Sequence, residues 1–268
     1  MEPIHRLQHI MQRLRDPETG CPWDREQTFQ SIVPHTLEEA YEVADAIEQG
    51  DMGEVRDELG DLLFQVVFYA QLGQEQGLFD FDAITTAIAD KLERRHPHVF
   101  AEMTLADAGI TDVEAQTRHW ELLKAEERAS KASATTATAP SVLDGITRRL
   151  PALNVAHKLQ KRAAQVGFDW PDEQGVLAKL DEEIAEVKQE WGRDQAALQE
   201  EIGDLLFTCV NLARHAGVDS ETALRQANQK FEQRFRDVES SLAGTETPLG
   251  KADIAAMESA WCNAKQKL

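Results

Sequence analysis

Carboxylates recur in this chain at spacings that suit the binding of a cation. Each half carries a Glu-Glu-x-x-Glu segment followed by a Glu-x-x-Asp segment: Glu38, Glu39, Glu42, Glu58 and Asp61 in the first half, and Glu182, Glu183, Glu186, Glu201 and Asp204 in the second. Acids three apart project from one face of an α-helix. Two such helices side by side bring four carboxylates together, and their repulsion favours a bound cation or protons. Oxygen-only ligation suits Mg²⁺ or Mn²⁺.

Two other interpretations of the acids are open. A solvated face is the usual role of acids on a charged helix, although the repetition of this pattern next to apolar runs argues against it here. Four-helix di-iron proteins use Glu-x-x-His pairs, and Glu93 with His96 fits that spacing. However, Pro97 ends the helix directly after His96, and Phe235 stands at the matching position of the second half.

The acids belong to a longer internal repeat. Its further landmarks keep the same order in both halves: Trp23, Lys91–Arg95, Trp120 and Lys124, against Trp170, Lys230–Arg234, Trp261 and Lys265. Residues 129–141 are small and polar, which is the composition of a flexible linker. We therefore predict two domains, 1–128 and 142–268, joined by the linker 129–141.

The hydrophobic pattern predicts helices throughout. Apolar residues fall at helical spacing after each acidic segment, while alternating strand patterns are hard to find. Pro34 and Gly50 are expected to bracket the first acidic helix, and Pro97 is expected to end the helix that carries Arg95. The run 62–70 is apolar nearly all round and should lie inside a bundle. The predicted fold is all-α, with two tandem helical bundles.

Composition excludes several classes of protein. A net charge of −20 leaves no basic stripe for a nucleic-acid polymer. Three distant cysteines indicate neither a disulfide framework nor a zinc site. No apolar stretch is long enough for a membrane span and no signal peptide begins the chain, so we expect a cytoplasmic protein. Glycine-rich nucleotide loops are also missing, so phosphate chemistry here must rest on metal ions.

With these motifs assembled, the chain resembles the MazG nucleoside triphosphate pyrophosphohydrolases of the all-α NTP pyrophosphatase superfamily. The resemblance covers almost the whole length and rests on segments 11–17, 20–24 and 94–100, the paired acidic blocks and the Trp-x-x-x-Lys near the end of each half. It implies Mg²⁺- or Mn²⁺-dependent hydrolysis of nucleoside triphosphates between the α and β phosphates, giving a monophosphate and pyrophosphate. The expected cellular task is the clearing of excess or aberrant nucleotides.

The resemblance also implies roles for individual residues. The metal ligands would be Glu39, Glu42, Glu58 and Asp61 in the first half, and Glu183, Glu186, Glu201 and Asp204 in the second. Glu38 and Glu182 adjoin these ligands and are candidates for holding or deprotonating the attacking water. Lys179, Lys230 and Arg234 would converge on the phosphates, Trp261 would stack on a base near Lys265, and Arg95 and Lys124 are the first-half candidates for substrate binding.

The two halves differ in one basic residue beside the acids. Lys179 stands four residues before Glu183, whereas His35 stands four residues before Glu39, which weakens the phosphate grip of the first half at neutral pH. Two-domain members of the family are taken to work through the C-terminal half, so we expect residues 142–268 to be the active domain. A homodimer is also expected, because each half offers few helices to enclose a triphosphate. The alternative is an acidic helical interaction module with structural cation sites.

Overall fold

The protein is described by a computed structural model that covers residues 2–101, 110–132, 141–243 and 252–267. The chain forms two compact units, Met1–Glu127 and Arg128–Leu268. The first unit is built from helices that follow one another along the chain: α1 (Pro3–Leu14), α2 (Pro22–Glu26), α3 (Phe29–Gln49), α4 (Met52–Glu75), α5 (Phe81–Arg95), α6 (Pro97–Phe100) and α7 (Val113–Ala132), of which α7 runs across the boundary into the second unit.

The second unit repeats the central part of this arrangement. Its helices are α8 (Ala152–Ala164), α9 (Glu173–Glu190), α10 (Gln195–His215), α11 (Ser220–Ala243) and α12 (Ile254–Lys267). Helices α9 and α10 pack together as α3 and α4 do in the first unit, and α8 packs on α10 as α1 packs on α4. No described residue lies in a β-strand. The prediction of an all-α fold with two tandem helical domains is therefore confirmed.

Local capping fixes where the acid-bearing helices begin. Thr28 and Ser31 form a reciprocal capping box at the start of α3. Aspartate side chains accept hydrogen bonds from the first free amides of the other three helices, with Asp51 on α4, Asp172 on α9 and Asp194 on α10. Each cap satisfies amides that would otherwise lack a partner, and so each helix starts a fixed number of residues before its carboxylates.

The two units have different cores. In the first, α1, α3 and α4 enclose a cluster of fully buried side chains: Met11, Ile32, Val67, Phe68 and Leu72. In the second, α11 and α12 form a hairpin around another cluster: Val238, Leu242, Ala260 and Ala264. Among the described residues no helix is both long enough and apolar enough to cross a membrane.

Two helix boundaries differ from the sequence-based expectations. Pro34 lies inside α3 and does not begin it, because the capping box at Thr28 starts the helix one turn earlier. Helix α7 continues through Ala132, four residues into the predicted linker 129–141, and two of those four residues are alanine, the best helix former. The rest of that linker up to residue 140 lies outside the described residues.

Burial of the apolar run 62–70 is also only partial. Val67, Phe68 and Ala70 are buried, whereas Leu63 is 41% exposed and Leu59, one turn earlier, is 49% exposed. The beginning of this run is therefore left partly uncovered by the described residues, and its last turn is part of the core.

Candidate active site

Glu183 is the centre of the acidic cluster in the second unit. Glu183 is only 2% exposed, and its Oε1 lies 2.8 Å from the Lys179 Nζ one turn earlier on α9. Its other oxygen, Oε2, is buried and has no hydrogen-bond partner among the described residues. Carboxylates are seldom buried unless they are paired or bound to a metal, so an oxygen without a partner at this depth is suited to a cation.

Glu201 and Asp204 face Glu183 from α10. One oxygen of each of these three carboxylates lies within 4.8 Å of the other two. The pKa of Glu201 is raised, first by loss of solvent and then by repulsion from Glu186, Asp204 and Glu183. The four acids that the sequence assigned to one site thus share one electrostatic environment, although Glu186 lies outside the tight group of three.

The first unit builds a similar cluster from α3 and α4. Oxygens of Glu39, Glu58 and Asp61 lie within 4.8 Å of one another. The pKa of Glu39 is raised by burial and then by repulsion from Asp61 and Glu42, while a long hydrogen bond of 3.4 Å from Gln65 Nε2 acts against the shift. Burial and repulsion, led by Glu42, raise the pKa of Glu58 as well.

The basic side chains beside the two clusters differ, as the sequence indicated. Lys179 donates to Glu183 and, at 2.9 Å, to Glu182, and these contacts raise its pKa. His35 Nδ1 lies 3.7 Å from Glu38, and its ring meets the Trp23 ring edge-on at a centroid distance of 5.7 Å. The first cluster therefore has a half-exposed imidazole near its outer acid, where the second has an ammonium group bound to its central acid.

Both clusters fit a hard divalent cation. All the ligand atoms on offer are carboxylate oxygens, which Mg²⁺ and Mn²⁺ prefer, and burial together with repulsion from neighbouring acids raises the pKa values of Glu39, Glu58 and Glu201. A cation would remove that repulsion and would supply a partner for the second oxygen of Glu183. Glu183, Glu201 and Asp204, with Glu186 beside them, would hold it in the second unit.

A pocket of about 710 Å³ opens beside the second cluster. Lys179, Glu183 and Asp204 lie on its wall, and its volume is in the range of roughly 300–1,000 Å³ that is usual for small-molecule sites. The remaining wall is mostly apolar and aromatic, with a few polar side chains between: Leu143, Leu159, Gln160, Ala163, Gly167, Phe168, Asp169, Trp170, Phe207, Thr208, Asn211 and Arg214. The acids thus border a largely apolar space.

Sequence reasoning did not identify the polar network in this pocket. Arg214 donates to both carboxylate oxygens of Asp169 and to Asn211 Oδ1, and His215 Nε2 lies 3.1 Å from Asp169 Oδ1. Burial acts to raise the pKa of Asp169, but hydrogen bonds from Arg214 and His215 outweigh it and lower the pKa. A signal was present, because Asn211 interrupts an apolar helical run at a position where the first repeat has Phe68.

The predicted phosphate residues of α11 do not line this pocket. Lys230 is exposed. Arg234 is half-buried, its Nε is buried without an acceptor, and it forms no ion pair with any described residue. A guanidinium without a carboxylate partner remains available to an anion. Convergence of these two side chains with Lys179 stays a prediction.

Trp261 packs in the α11–α12 hairpin. Its ring centroid lies 5.2 Å from that of Phe231, and it packs against the buried cluster around Val238 and Leu242. Lys265, one turn later, is exposed. Stacking of Trp261 on a base stays a prediction, and the contacts found here serve the packing of the hairpin.

The first-half candidates are engaged with neighbouring side chains. Arg95 donates to Glu127 of α7 at 2.5 Å, and Arg94 donates to the same carboxylate at 2.9 Å. These arginines lower the pKa of Glu127 to about 2. The Lys124 ammonium lies 5.4 Å from the centre of the Trp120 ring and 3.3 Å from Glu121. Substrate binding by Arg95 would have to displace Glu127.

Comparison with known proteins places this geometry in a family. The MazG nucleotide pyrophosphohydrolase domain matches twice, at residues 27–100 and 172–239, and each match includes one acidic cluster. The chain is 54% identical to the nucleoside triphosphate pyrophosphohydrolase of Escherichia coli K12, over all of this chain and 98% of the relative. It is 40% identical to the nucleoside triphosphate pyrophosphohydrolase/pyrophosphatase MazG of Thermotoga maritima, over 97% of this chain and 94% of the relative.

A more distant relative, the nucleoside triphosphate pyrophosphohydrolase of Mycolicibacterium smegmatis, is 32% identical over 87% of this chain and 58% of its own length. These matches define the class as a tandem all-α nucleotide pyrophosphohydrolase. The chain belongs to the MazG family, which confirms the resemblance inferred from its motifs.

Proposed function

We propose that this protein is a Mg²⁺-dependent nucleoside triphosphate pyrophosphohydrolase that hydrolyses ribo- and deoxyribonucleotides between the α and β phosphates. The observation that carries the proposal is the buried Glu183 carboxylate, which keeps one oxygen without a partner among the described residues at the edge of the pocket. The substrate class comes from the relatives, since two that match this chain over nearly their whole length are named nucleoside triphosphate pyrophosphohydrolases. Clearing of unwanted nucleotides in the cytoplasm is the corresponding cellular role.

Side chains around the second cluster would take separate roles in substrate binding and proton transfer. Lys179 lies among the acids on the pocket wall and would bind a phosphate oxygen once a cation satisfies Glu183. The Arg234 guanidinium, which has no ion-pair partner among the described residues, and the exposed Lys230 would neutralise the rest of the triphosphate. Glu182 is exposed next to the buried ligand and would take the proton of the attacking water. A divalent cation at this position supplies charge neutralisation and electrophilic activation of the α-phosphoryl group.

Three differences favour the second unit as the working domain. Lys179 is bound to its central acid, Glu183, whereas Glu38 is the one acid that His35 of the first unit pairs with in the described part of the chain. Arg234 has no ion-pair partner among the described residues, whereas Arg95 is bound to Glu127. The pocket borders the second cluster. The first cluster would then bind metal with little turnover, and Glu38 would have no catalytic task.

We also propose that the working form is a homodimer. Large apolar side chains are exposed on the helices that carry the acids, with Leu59 and Leu63 on α4 and Ile202 and Leu206 on α10. Within each pair the residues are four apart and share a helix face. A second copy of the chain would cover these faces, as expected for an obligate helical dimer.

The direct test is to incubate the purified chain with a panel of ribo- and deoxyribonucleoside triphosphates and to identify the products. We expect a nucleoside monophosphate and pyrophosphate in the presence of Mg²⁺, and no turnover when the metal is chelated. Release of orthophosphate would contradict the proposed cleavage position. No hydrolysis of any nucleotide would favour the acidic interaction module.

A matched pair of variants decides which unit works. Glu186→Gln and Glu42→Gln make the same change at equivalent positions of the two repeats. We expect the Glu186 variant to lose more than about 100-fold in kcat/KM, because even outer-sphere partners of metal ligands contribute about 10- to 100-fold. The Glu42 variant should stay within about threefold of wild type. The reverse pattern would assign catalysis to the first unit.

A further inference from the structure

Helix α10 joins the acidic cluster to the far side of the pocket. Asp204 and Asn211 both line the pocket and are seven residues apart, which places them on one helix face about 10 Å apart along the axis. Phe168 and Trp170 add exposed aromatic surface to the wall, and flat rings of this kind stack readily on nucleobases. A nucleotide with its phosphates at the acids would extend its base toward Asn211.

Trp170 is held in place by the start of α9. A β-carbon on Gly175 would lie 2.9 Å from the indole ring, so the absence of a side chain there allows the ring to rest directly on the helix backbone. The adjoining Asp169 is fixed by Arg214 and His215. Trp170 and Asp169 are therefore both anchored by contacts with neighbouring helices.

The orientation of the Asn211 amide follows from its partner. Arg214 Nε and an η nitrogen lie 3.1 and 2.6 Å from Asn211 Oδ1. A guanidinium carries only donors, so the oxygen of the amide must face it. The nitrogen, Nδ2, then has no partner among the described residues and offers its two hydrogens to the pocket. Arg214 in turn is held by the Asp169 carboxylate.

The first repeat has filled the equivalent space. Seven residues after Asp61, the position that matches Asn211 holds Phe68, which is 0% exposed in the apolar core. The one buried side chain of α1 is Met11, whereas that of α8 is Gln160, which lines the pocket. A polar residue thus replaces a core phenylalanine at the position of Asn211, and the buried residue of α8 is likewise polar, in the unit where the pocket borders the acids.

We propose that Asn211 determines base specificity by donating a hydrogen bond from Nδ2 to an exocyclic carbonyl oxygen of the nucleobase, with Arg214 and Asp169 as positioning residues. The inference rests on the proposed function, because it takes a nucleotide as the ligand. The exocyclic amino group of adenine or cytosine is also a hydrogen-bond donor, so it would face the Asn211 Nδ2 without forming a hydrogen bond and both groups would lack an acceptor. Bases with a carbonyl at that position are therefore the preferred class.

Two nucleotide pairs test this preference. ITP and ATP differ at position 6 of the purine, and UTP and CTP differ at position 4 of the pyrimidine, in each case as carbonyl against amino group. We expect kcat/KM to favour the carbonyl member of at least one pair by about fivefold or more, the size of one neutral hydrogen bond. Ratios near one in both pairs, or a preference for the amino members, would overturn the proposal.

Substitutions then connect the preference to the network. Asn211→Asp keeps the shape but replaces the donor by an acceptor, so the preference should disappear or reverse toward the amino member. Arg214→Met lets the amide turn and should abolish the preference, whereas Arg214→Lys, which still only donates, should retain it. If Asn211→Asp and Arg214→Met each lower kcat/KM equally for both members of a pair, these residues only stabilise the fold, and the proposal is overturned.

Equilibrium binding separates this inference from the proposed function. The same nucleotides are titrated by calorimetry with Ca²⁺ replacing Mg²⁺, and the ratio of dissociation constants within each pair is measured for wild type and for both Arg214 variants. Absence of pyrophosphate release from every nucleotide would reject the proposed function without affecting this comparison. Equal affinities within both pairs in wild type would reject the base preference even if hydrolysis is observed.

Discussion

Single side chains of the acid-bearing units carry two kinds of charge interaction. Glu183 combines a buried carboxylate with one lysine contact, and its second oxygen has no partner among the described residues. Glu127 is fully engaged by two arginines. A cation would supply the partner that the second oxygen of Glu183 lacks, whereas the Glu127 ion pairs link α5 to α7. The two carboxylates thus differ in how completely their charge is neutralised by neighbouring side chains.

The Glu127 carboxylate gives a pH-dependent prediction. Its pKa is lowered by Arg95 and Arg94 to about 2, so its contribution to stability is present above the ordinary carboxylate pKa and disappears as pH falls from about 4.5 toward 2. Glu127→Gln should destabilise the folded protein by about 1 kcal/mol at neutral pH, a modest figure because both partners are partly exposed. Thermal melts of variant and wild type should approach each other as pH falls below about 4.5 and should converge only at about pH 2 and below.

Glu232→Gln is the matched control, because Glu232 pairs with Arg236 at a much more exposed site. Its effect should stay below about 0.5 kcal/mol at every pH. A destabilisation by Glu127→Gln that does not change with pH would contradict an electrostatic origin.

Among the helices, α9 and α10 are the pair that positions the second cluster. Their starts are fixed by Asp172 and Asp194, and the cluster residues follow at set distances along two packed helices: Lys179, Glu183, Glu201 and Asp204. In this arrangement a shift of either helix end would disturb the alignment of carboxylates contributed by different helices.

Removal of one cap tests this dependence. Asp194 accepts a hydrogen bond of 2.8 Å from the Ala196 amide, and Asp194→Ala should destabilise the second unit by about 1 kcal/mol in chemical denaturation. Asp181→Ala, which removes an exposed aspartate from the middle of α9, should change stability by less than about 0.5 kcal/mol. Equal effects of the two substitutions would show that net charge, and not capping, is responsible.

The molecule as a whole exposes apolar faces that its described residues do not cover. Leu63 and Leu206 occupy equivalent positions two residues after the aspartate of each cluster, and they are 41% and 54% exposed. Exposed apolar surface beside the same helix pair in both repeats favours association with a second copy, because its burial removes apolar area from water.

Sedimentation or light scattering of the purified protein tests the dimer. We expect a mass of twice the 30.0 kDa chain, and a shift toward the monomer when Leu63→Asp and Leu206→Asp are combined. Val113→Asp is the control, since this residue is 82% exposed at the start of α7 and outside both acid-bearing helix pairs. A monomeric wild type, or an unchanged mass in the double variant, would reject this interface.

Local patterns in the sequence were sufficient for the helical class and for bringing the acids together. Helix periodicity and caps act over one or two turns, so the helices carrying Glu39 and Glu183 are predictable from their own segments. The start of α3 was misplaced because Pro34 is a visible break signal, whereas the capping box at Thr28 was not recognised. Such errors change a helix boundary without changing which face holds the acids.

The repeat in the sequence thus determined two helical units with one carboxylate cluster each, because spacing along a helix fixes which side chains share a face. Only the tertiary structure decided the partners that come from distant segments. It gave Arg95 to Glu127, packed Trp261 against Phe231, and brought Asp169 to Arg214, which lies one turn from Asn211 on the same helix. These contacts depend on how helices pack, and side-chain spacing within one helix carries no information about the residue that meets it from another.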